Sequence, residues 1–599
     1  MSLVARMQPV RADSAPGSAS SSFFTVRLLH AIADFADTRG WLLFTAISLA
    51  CGWGLLNTMV TRRLDHDEIF TFYIAQAPSL HRLLQVSHAV DFQPPLSYLL
   101  VRASFAMFGT NAWSCRLPFL LASFGTAALM FYFVGRHCSP HYGLIAVLLL
   151  WGSPYSFLAY EARPYALLLC FSTLILVSWY QAATERGLTG RRWALAMVTV
   201  SGFGLLLSHV FGVLVYAAFF AAELLRSWIR RKPDWRVWLA LLVPTISILT
   251  YLPMLHNHSI TLFAREYRVT PLVLLSFYWE SIRFVITPLA LIAALALLWP
   301  IFHPTVHKPI VHNKPPETAA ANSHAIRVPF GFLLVSISLI PLAIGTLLAR
   351  TGTAFFSRYG VVWLVPFAMV PALVLGYRTQ HDRLVGTAAV LLLAVFFFFN
   401  TTGKSWLLDQ VSNLAPPRVA ARLLYVLSLP PIVTVHYPPI PSYLQAGIAA
   451  APLVSHLDSV APGLPLVANT GLTFVEADHQ ESAQVAQRLY LLTDEKAAST
   501  IARDTVFNHY ERLKDAFPAI RGKVEPYCAC ISSHPRFVVV GAYNHPQGWL
   551  LRKLDRDGAE LRVIGTCSGY TEECQIYEVS VRPEECRNPG VSASAPSNE

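Results

Sequence analysis

Charged residues are scarce in this sequence. Asp, Glu, Lys and Arg make up 14 % of its 599 residues, whereas a soluble globular chain carries about 25 %. Hydrophobic residues make up 54 %, and the mean hydropathy is +0.46. Apolar runs of roughly 17–25 residues recur, which is the length that crosses a bilayer as a helix. The composition excludes an ordinary soluble protein and predicts an α-helical polytopic membrane protein.

Signatures of several other classes are also missing. No glycine-rich loop of the Walker or dinucleotide-binding type occurs, so we expect no soluble nucleotide site. The nine cysteines include no thiolate zinc pair of the C-x-x-C kind. We predict no cofactor and no metal site, and binding of a divalent metal ion stays an alternative. We attribute the net charge of +11 to cytoplasmic Lys and Arg, which also attract anionic membrane lipids, so no nucleic-acid partner is expected.

The apolar runs predict eleven membrane spans. Residues 1–40 contain no short apolar core that ends in a cleavage site, so we interpret them as a cytoplasmic tail before an uncleaved first span. The predicted spans are 41–60, 115–135, 141–157, 164–183, 193–208, 210–225, 237–255, 284–302, 328–349, 359–377 and 384–399.

The sidedness of the chain depends on the short apolar segment Leu96–Phe108, which Arg102 interrupts. We interpret it as an amphipathic interfacial helix rather than a span. Basic loops such as 226–236 then lie in the cytoplasm, as the positive-inside rule requires. The Pro- and His-rich loop 303–327 is predicted to be a cytoplasmic linker.

Residues 401–599 have ordinary polarity and follow the last span, so we predict an extracytoplasmic α/β domain there. Five cysteines in that domain (Cys528, Cys530, Cys567, Cys574 and Cys586) predict at least one disulfide. The pattern predicts strands at 432–436, 465–468 and 537–540, a helix at 482–492, and a hairpin over 549–564.

Acidic residues cluster in the loop after the first span, where Asp65, Asp67, Glu68 and Asp91 lie within residues 62–96. Taken singly, such acids are typical of any polar loop beside a membrane. Together they are candidates for a site, because like charges at close range raise each other's pKa and folding does not need them.

The run Asp67-Glu68 followed by Asp91-Phe-Gln93-Pro-Pro-Leu resembles the first extracytoplasmic loop of the dolichyl-phosphate-mannose protein mannosyltransferase family. That family belongs to the GT-C glycosyltransferases, and its bacterial relatives include the Rgt-type lipopolysaccharide-core enzymes and the aminoarabinose transferases. Gln93 stands where a His is usual in the family. Three further segments of this chain have counterparts in those relatives: Glu161-Ala-Arg163-Pro-Tyr165, His209, and Arg358-Tyr359.

The resemblance covers roughly residues 41–400 and implies an inverting sugar transfer from a polyprenyl-phosphate donor to a lipid, glycan or protein acceptor at the outer face of the cytoplasmic membrane. It makes Asp67 the expected general base, with Glu68 and Asp91 as catalytic neighbours. Arg163 and Arg358 are expected to bind the donor phosphate. Glu161, Gln93, His209 and Tyr165 are expected to bind substrate. Taken individually, Glu161 and Arg163 also fit an interfacial ion pair, Arg358 fits a snorkelling side chain, and His209 fits a packing residue.

Two other functions remain open at this level. A transporter or flippase of envelope lipids or glycans would also be polytopic, but it places ionisable residues within its spans and often contains repeats. Here the acids lie in a loop and at span ends, and no repeat is found. The other alternative is an envelope-assembly protein in which the C-terminal domain performs the main function.

Overall fold

The computed structural model describes residues 19–185, 187–252, 269–283, 285–302, 317–398, 439–454, 456–568, 570 and 574–581. A helical part extends to residue 398, and an α/β domain begins at residue 439. The predicted strand at 432–436, Cys586 and most of the predicted linker lie outside the described residues.

The helical part consists of long apolar helices and short polar ones. A π-helical turn, Ser87–Asp91, and 3-10 segments at Ser156–Ala159, Val243–Tyr251 and Ser357–Trp363 connect them. The α-helices are α1 (Ala19–Thr61), α2 (His66–Ala75), α3 (Leu80–Val86), α4 (Leu96–Phe108), α5 (Ala112–His137), α6 (Pro140–Trp151), α7 (Tyr165–Thr184), α8 (Leu188–Ser208), α9 (Gly212–Arg230), α10 (Trp235–Leu242), α11 (Pro271–Arg283), α12 (Ile286–Phe302), α13 (Glu317–Thr351), α14 (Leu364–Arg378) and α15 (Arg383–Phe398).

The chain is a multi-pass membrane protein. Each of the eleven predicted spans overlaps a helix, but several of these helices have fewer than 18 residues. The exact number of spans therefore stays a prediction. Among the described residues, the helices long and apolar enough to cross a membrane are His30–Thr61, Ala112–His137, Tyr165–Thr184, Gly212–Arg230, Ala325–Thr351 and Ser357–Arg378, and the bent pair Pro271–Arg283 and Ile286–Leu298 could form a seventh span.

The segment Leu96–Phe108 is helical, as predicted. Its buried side chains include Tyr98, Val101 and Phe105, and it packs against α2 and α5. This contact holds the acidic loop against the helical part.

The α/β domain is built on a seven-stranded mixed sheet with the order β1-β6-β7-β5-β2-β3-β4. β2 pairs in parallel with β3 and β5, and β3 in parallel with β4, whereas β7 is antiparallel to β5 and β6. The strands are β1 (Leu453–Val454), β2 (Leu466–Ala468), β3 (Leu489–Thr493), β4 (Lys523–Pro526), β5 (Arg536–Val540), β6 (Glu560–Cys567) and β7 (Cys574–Ser580). The helices are α16 (Ser442–Ala450), α17 (Gly471–Gln480), α18 (Ala483–Gln487), α19 (Glu495–Ala497), α20 (Phe507–Ala516), α21 (Tyr527–Ser533) and α22 (Trp549–Arg556).

Two local predictions in this domain are wrong. The helix predicted over 482–492 ends at Gln487, and the buried run from Leu489 onward forms β3 instead. The predicted hairpin over 549–564 is helix α22 followed by β6. Its apolar residues Trp549, Leu550, Leu551 and Leu554 are all buried, and their spacing fits one face of a helix rather than an alternating strand.

The cysteines of this domain form disulfides, as predicted from the sequence. A disulfide joins Cys567 to Cys574 across the β6–β7 hairpin, and Cys528 is also disulfide-bonded. Cys530 is a buried free thiol. The predicted α/β domain thus contains at least one disulfide.

The acidic loop and the α/β domain share a hydrophobic core, which we call the interdomain core. Side chains of α2 and α3 such as Ile69, Phe70 and Leu83 are buried in one cluster with Phe474 and Tyr510 of the domain. Burying apolar surface is the main favourable term in such packing. The loop is therefore fixed by the helical part on one side and by the α/β domain on the other.

Candidate functional site

A cavity of about 660 Å³ lies between the helical part and the α/β domain. Both parts contribute to its wall, so neither encloses it alone. The helical part contributes His66, Asp67, Phe70, Asp91, Gln93, Phe157, Arg163, Tyr165, Phe356, Ser357, Arg358 and Tyr359, and the domain contributes Leu472, Val506, His509, Tyr510, Ala542, Asn544, His545 and Gln547.

The start of α2 places two neighbouring acids in different surroundings. Asp65 is the N-cap, and its carboxylate accepts a hydrogen bond of 2.9 Å from the Glu68 amide. The Glu68 carboxylate in turn accepts one of 3.1 Å from the Asp65 amide. This capping box fixes the first turn of the helix. Asp67 consequently lines the cavity, while Glu68 lies in the protein interior.

Glu68 is engaged in a closed, buried ion pair with Arg116 of α5. Nε and Nη2 of Arg116 donate to the two carboxylate oxygens at 2.6 and 2.5 Å, and the side chains are 0 % exposed. The guanidinium also donates to the carbonyls of Met59, Arg62 and Arg63. A buried pair is stable only when such additional bonds satisfy it. The structure thus places Glu68 outside the cavity, in a contact that joins α1, α2 and α5.

Asp67 forms the central ion pair of the cavity with Arg358, at 2.5 Å. Burial acts to raise the pKa of Asp67, but Arg358, Arg163 and His66 outweigh it and hold the pKa well below its usual range. The guanidinium of Arg358 also lies over the rings of Phe356 and Tyr165, at 5.1 and 5.9 Å from their centroids. These contacts aim a fixed positive charge at the cavity.

A second ion pair in the wall joins Asp91 to Arg163, with two hydrogen bonds of 2.7 and 3.1 Å. Tyr98 of α4 donates to the same carboxylate at 2.5 Å. Phe92, which follows Asp91 in the chain, has a left-handed backbone with φ of 51°. A bulky residue adopts this conformation only when its surroundings impose it. His509 of the α/β domain packs edge-on against the Phe92 ring, with the ring centroids 5.4 Å apart.

Glu161 lies behind Arg358, 3.7 Å from its guanidinium. Burial raises the pKa of Glu161 to about 8, with Asp65 and Asp67 adding to the increase and Arg358 opposing it. Its Oε2 has no hydrogen-bond partner among the described residues. At neutral pH a group with this pKa is largely protonated and can act as a donor.

The remaining predicted residues divide between the wall and the layer behind it. Gln93 and Tyr165 line the cavity. His209 does not; it is fully buried, its ring centroid lies 5.3 Å from that of Tyr165, and its Nδ1 accepts from the Phe211 amide. Burial and the nearby Arg163 and Arg358 lower the pKa of His209 to about 3. His209 is thus a neutral side chain that packs behind the wall.

The α/β domain presents its part of the wall at the carboxyl ends of parallel strands. Leu472 follows β2, and the segment Asn544-His545-Pro-Gln547 follows its neighbour β5. This edge of an open sheet is where ligands usually bind in α/β folds. Amide and imidazole groups there can donate and accept hydrogen bonds.

His66 links Asp67 to an acid of the α/β domain. Its Nε2 is 3.7 Å from Asp67 Oδ1, and its Nδ1 is 3.5 Å from Oε1 of Glu476 on α17. The same oxygen accepts a hydrogen bond of 3.1 Å from the His66 amide. Burial acts to lower the pKa of His66, but Asp67 and Glu476 raise it to about 9.

The structure therefore brings Asp67, Asp91, Arg163 and Arg358 together in the cavity wall as two ion pairs. Glu161 lies behind Arg358, and Glu68 is buried outside the cavity. The polar residues missed from the sequence include His66, His509 and His545 in the wall and Arg116 and Glu476 behind it. His66 could have been noticed from its position between Asp65 and Asp67. Arg116 lies inside an apolar span and Glu476 about 400 residues from the acidic loop, so local patterns give no signal for their contacts.

Comparison with solved structures finds similar chains. Crystal structures of ArnT from Cupriavidus metallidurans, in the apo state and bound to undecaprenyl phosphate, match with TM-scores of 0.39 and 0.38, each at 12 % identity. The two matches cover 90 % and 93 % of this chain and 98 % and 99 % of the respective ArnT chains. No curated protein matches the sequence significantly.

A family model matches residues 92–255. That segment contains Gln93, Glu161, Arg163, Tyr165 and His209, and it begins one residue after Asp91. The predicted resemblance is thereby confirmed over this segment, because the matching model describes the dolichyl-phosphate-mannose-protein mannosyltransferase family.

Proposed function

We propose that the protein is an integral-membrane GT-C glycosyltransferase that moves a sugar from a polyprenyl-phosphate donor to a lipid, glycan or protein acceptor. The observation that carries the proposal is the contact between Asp67 and Arg358 in the cavity wall. It places a candidate proton acceptor beside a candidate phosphate ligand, which are the two groups that such a transfer needs.

Arg358 and Arg163 are the proposed ligands of the donor phosphate. Both line the cavity, and in each guanidinium the Nε has no hydrogen-bond partner among the described residues. Planar guanidinium groups bind phosphate oxygens in pairs. They would also stabilise the negative charge left on the lipid phosphate as the glycosidic bond breaks.

Asp67 is the proposed general base. The acceptor hydroxyl would give its proton to Asp67 while its oxygen attacks the anomeric carbon, and the lipid phosphate would leave from the opposite face. Direct displacement of this kind inverts the configuration at that carbon. Because Arg358 holds the pKa of Asp67 low, the carboxylate becomes a better base when the phosphate takes over that arginine.

The other predicted residues receive supporting roles in this proposal. Asp91 orients Arg163, and Glu68 fixes the start of α2 through Arg116, so both are positioning residues rather than catalytic ones. Glu161 supports Arg358 from behind. Gln93 and Tyr165 are placed to contact substrate, whereas His209 would act only by supporting Tyr165.

We further propose that the site faces the outside of the cytoplasmic membrane, with residues 1–40 inside and 401–599 outside. The basic loops between spans support this sidedness. Gly190 and Lys496 are both exposed, so each can be changed to cysteine in a separate variant and probed on intact cells. An impermeant thiol reagent should label Lys496→Cys and not Gly190→Cys, after subtraction of labelling at native cysteines. The reverse pattern contradicts the proposed sidedness.

Transfer itself is tested with purified protein in liposomes. Radiolabelled undecaprenyl-phosphate sugars are offered together with envelope lipids and glycans from the native membrane as acceptors. The proposal expects the label to move to an acceptor, and Asp67→Asn to reduce that movement by about 10²- to 10⁴-fold. Transport of the intact labelled donor across the bilayer, with no transfer to any acceptor, would instead identify a flippase.

A further inference from the structure

The helical part and the α/β domain are joined by a chain of charged groups that ends at the reaction centre. Glu476 is 1 % exposed and lies on α17 of the domain. It contacts both the amide and the imidazole of His66, and the other nitrogen of that imidazole faces Asp67. The order is therefore carboxylate, imidazole, carboxylate, and it crosses the domain boundary.

This arrangement supplies Asp67 with a positive charge in addition to Arg358, which the donor phosphate would occupy. In the structure Arg358 is the closest counter-ion of Asp67. When a phosphate occupies Arg358, the carboxylate loses part of this stabilisation, and a buried carboxylate without a counter-ion becomes protonated. A protonated Asp67 could not accept the proton of the acceptor hydroxyl.

We propose that His66, held in its charged form by Glu476, is the second counter-ion that keeps Asp67 ionised once the donor has bound. The inference rests on the proposed function, because it assigns a role to Asp67 in transfer. Glu476 is then a positioning residue that acts through His66, and the α/β domain takes part in the chemistry without touching the sugar.

Other charged groups also face His66. Asp65, which precedes His66 in the chain, helps to raise the pKa of the imidazole. His545, from the loop after β5, faces His66 across the cavity, and burial together with His66 and Arg552 lowers the pKa of His545 to about 4. His545 is thus neutral at physiological pH and does not compete with His66 for Asp67.

The pH dependence of turnover tests the proposal. Glu476→Gln keeps the shape of the side chain but removes its charge, so His66 should lose its proton at lower pH and Asp67 should gain one at higher pH. We expect the acid limb of kcat, where Asp67 gains its proton, to move up by about one unit. The KM for the lipid donor should change little, and His66→Gln should move the acid limb in the same direction.

Glu481→Gln is the matched control. Glu481 is the C-cap of the same helix, and its carboxylate accepts from Tyr570 rather than from His66. Its pH profile should equal that of the wild type. A Glu476→Gln profile of unchanged width, or one lowered equally at every pH, would overturn the proposal and leave only a structural role.

A second measurement does not depend on transfer. Thermal unfolding of Glu476→Gln, His66→Gln and the double variant forms a cycle, and a charge contact predicts that the two single effects are not additive. Additive effects would overturn the contact itself. Wild-type protein that transfers no sugar under any condition would instead contradict the proposed function, while the cycle would still decide whether Glu476 and His66 interact.

Discussion

Asp67 and Glu68 are neighbours in the chain but belong to different regions of the molecule. Glu68 lies in a closed region, where its carboxylate and the Arg116 guanidinium are 0 % exposed and Arg116 makes hydrogen bonds with Glu68 and three carbonyls. Asp67 lies at the cavity, and Arg358 beside it keeps a nitrogen without a hydrogen-bond partner among the described residues. Fully satisfied charges fix a structure, whereas incompletely satisfied ones remain available to a ligand.

Neutralising the acid at the cavity should have the largest effect on transfer. Asp67→Asn removes the proton acceptor and keeps the volume, so transfer should fall by about 10²- to 10⁴-fold. Donor affinity and thermal stability should change little, because the substitution leaves Glu68 and Arg116 untouched. Radiolabel transfer and melting temperature measure the two effects. Full activity would move the role of base to another acid, with Asp91 the next candidate.

Neutralising the buried acid should have the opposite result. Glu68→Gln leaves Arg116 as an uncompensated buried charge, which typically costs about 3–5 kcal/mol of stability. Chemical or thermal unfolding in detergent should show the loss, and transfer per folded molecule should fall much less than in Asp67→Asn. Adding Arg116→Met to Glu68→Gln should recover part of the stability. A stable but inactive Glu68→Gln protein would show that Glu68, too, takes part in the chemistry.

Arg358→Ala should weaken binding of the lipid donor. A hydrogen bond to a charged group is worth about 1.5–3 kcal/mol, so the apparent affinity for the lipid donor should fall by roughly 10- to 100-fold. The KM for the donor and direct binding of undecaprenyl phosphate report this loss. Arg562→Ala is a suitable control, because the side chain of Arg562 is 70 % exposed on β6 of the α/β domain. Equal losses in both variants would remove Arg358 from the phosphate site.

The last prediction concerns Glu161, which lies behind Arg358. The folded protein holds its pKa at about 8, whereas the unfolded chain has a value near 4.3. The unfolded state therefore binds fewer protons between these values, and this group lowers stability as the pH rises through that window. Glu161→Gln should raise the melting temperature relative to wild type more at pH 8 than at pH 5. An equal difference at both pH values would show that Glu161 is ionised in the folded protein.

The sequence was sufficient for the elements whose signal is local. Long apolar runs predicted the positions of the helices. The motifs in the acidic loop and at the span ends predicted half of the cavity wall that the helical part contributes. The segment of α22 was predicted as a strand because the three consecutive apolar residues Trp549, Leu550 and Leu551 fit both the helical and the strand period. Leu554 alone is too little to identify a helical face. The ion pairs themselves could not be predicted, since Arg163 could have met Asp67 as well as Asp91.

The contribution of the α/β domain to the site was the largest omission. Its residues at the cavity, such as His509 and His545, lie in segments that look like ordinary loop and surface helix in the sequence. Only the three-dimensional arrangement shows that the carboxyl edge of the sheet faces the acidic loop. A domain whose function the sequence left open is thus half of the proposed active site.

The interdomain core can form only late in synthesis, because its two sides are far apart in the chain. The acidic loop leaves the ribosome early, but its partners Glu476 and Gln480 follow more than 400 residues later, at sequence separations of 410 and 417 for the contacts with His66 and Arg63. At about 5–20 residues per second, this delay is roughly 20–80 s. During that time the apolar side chains of α2 and α3 lack the cover that the α/β domain provides. A nascent chain released before the C-terminal domain is complete would therefore expose these side chains and become a target for chaperones and proteases.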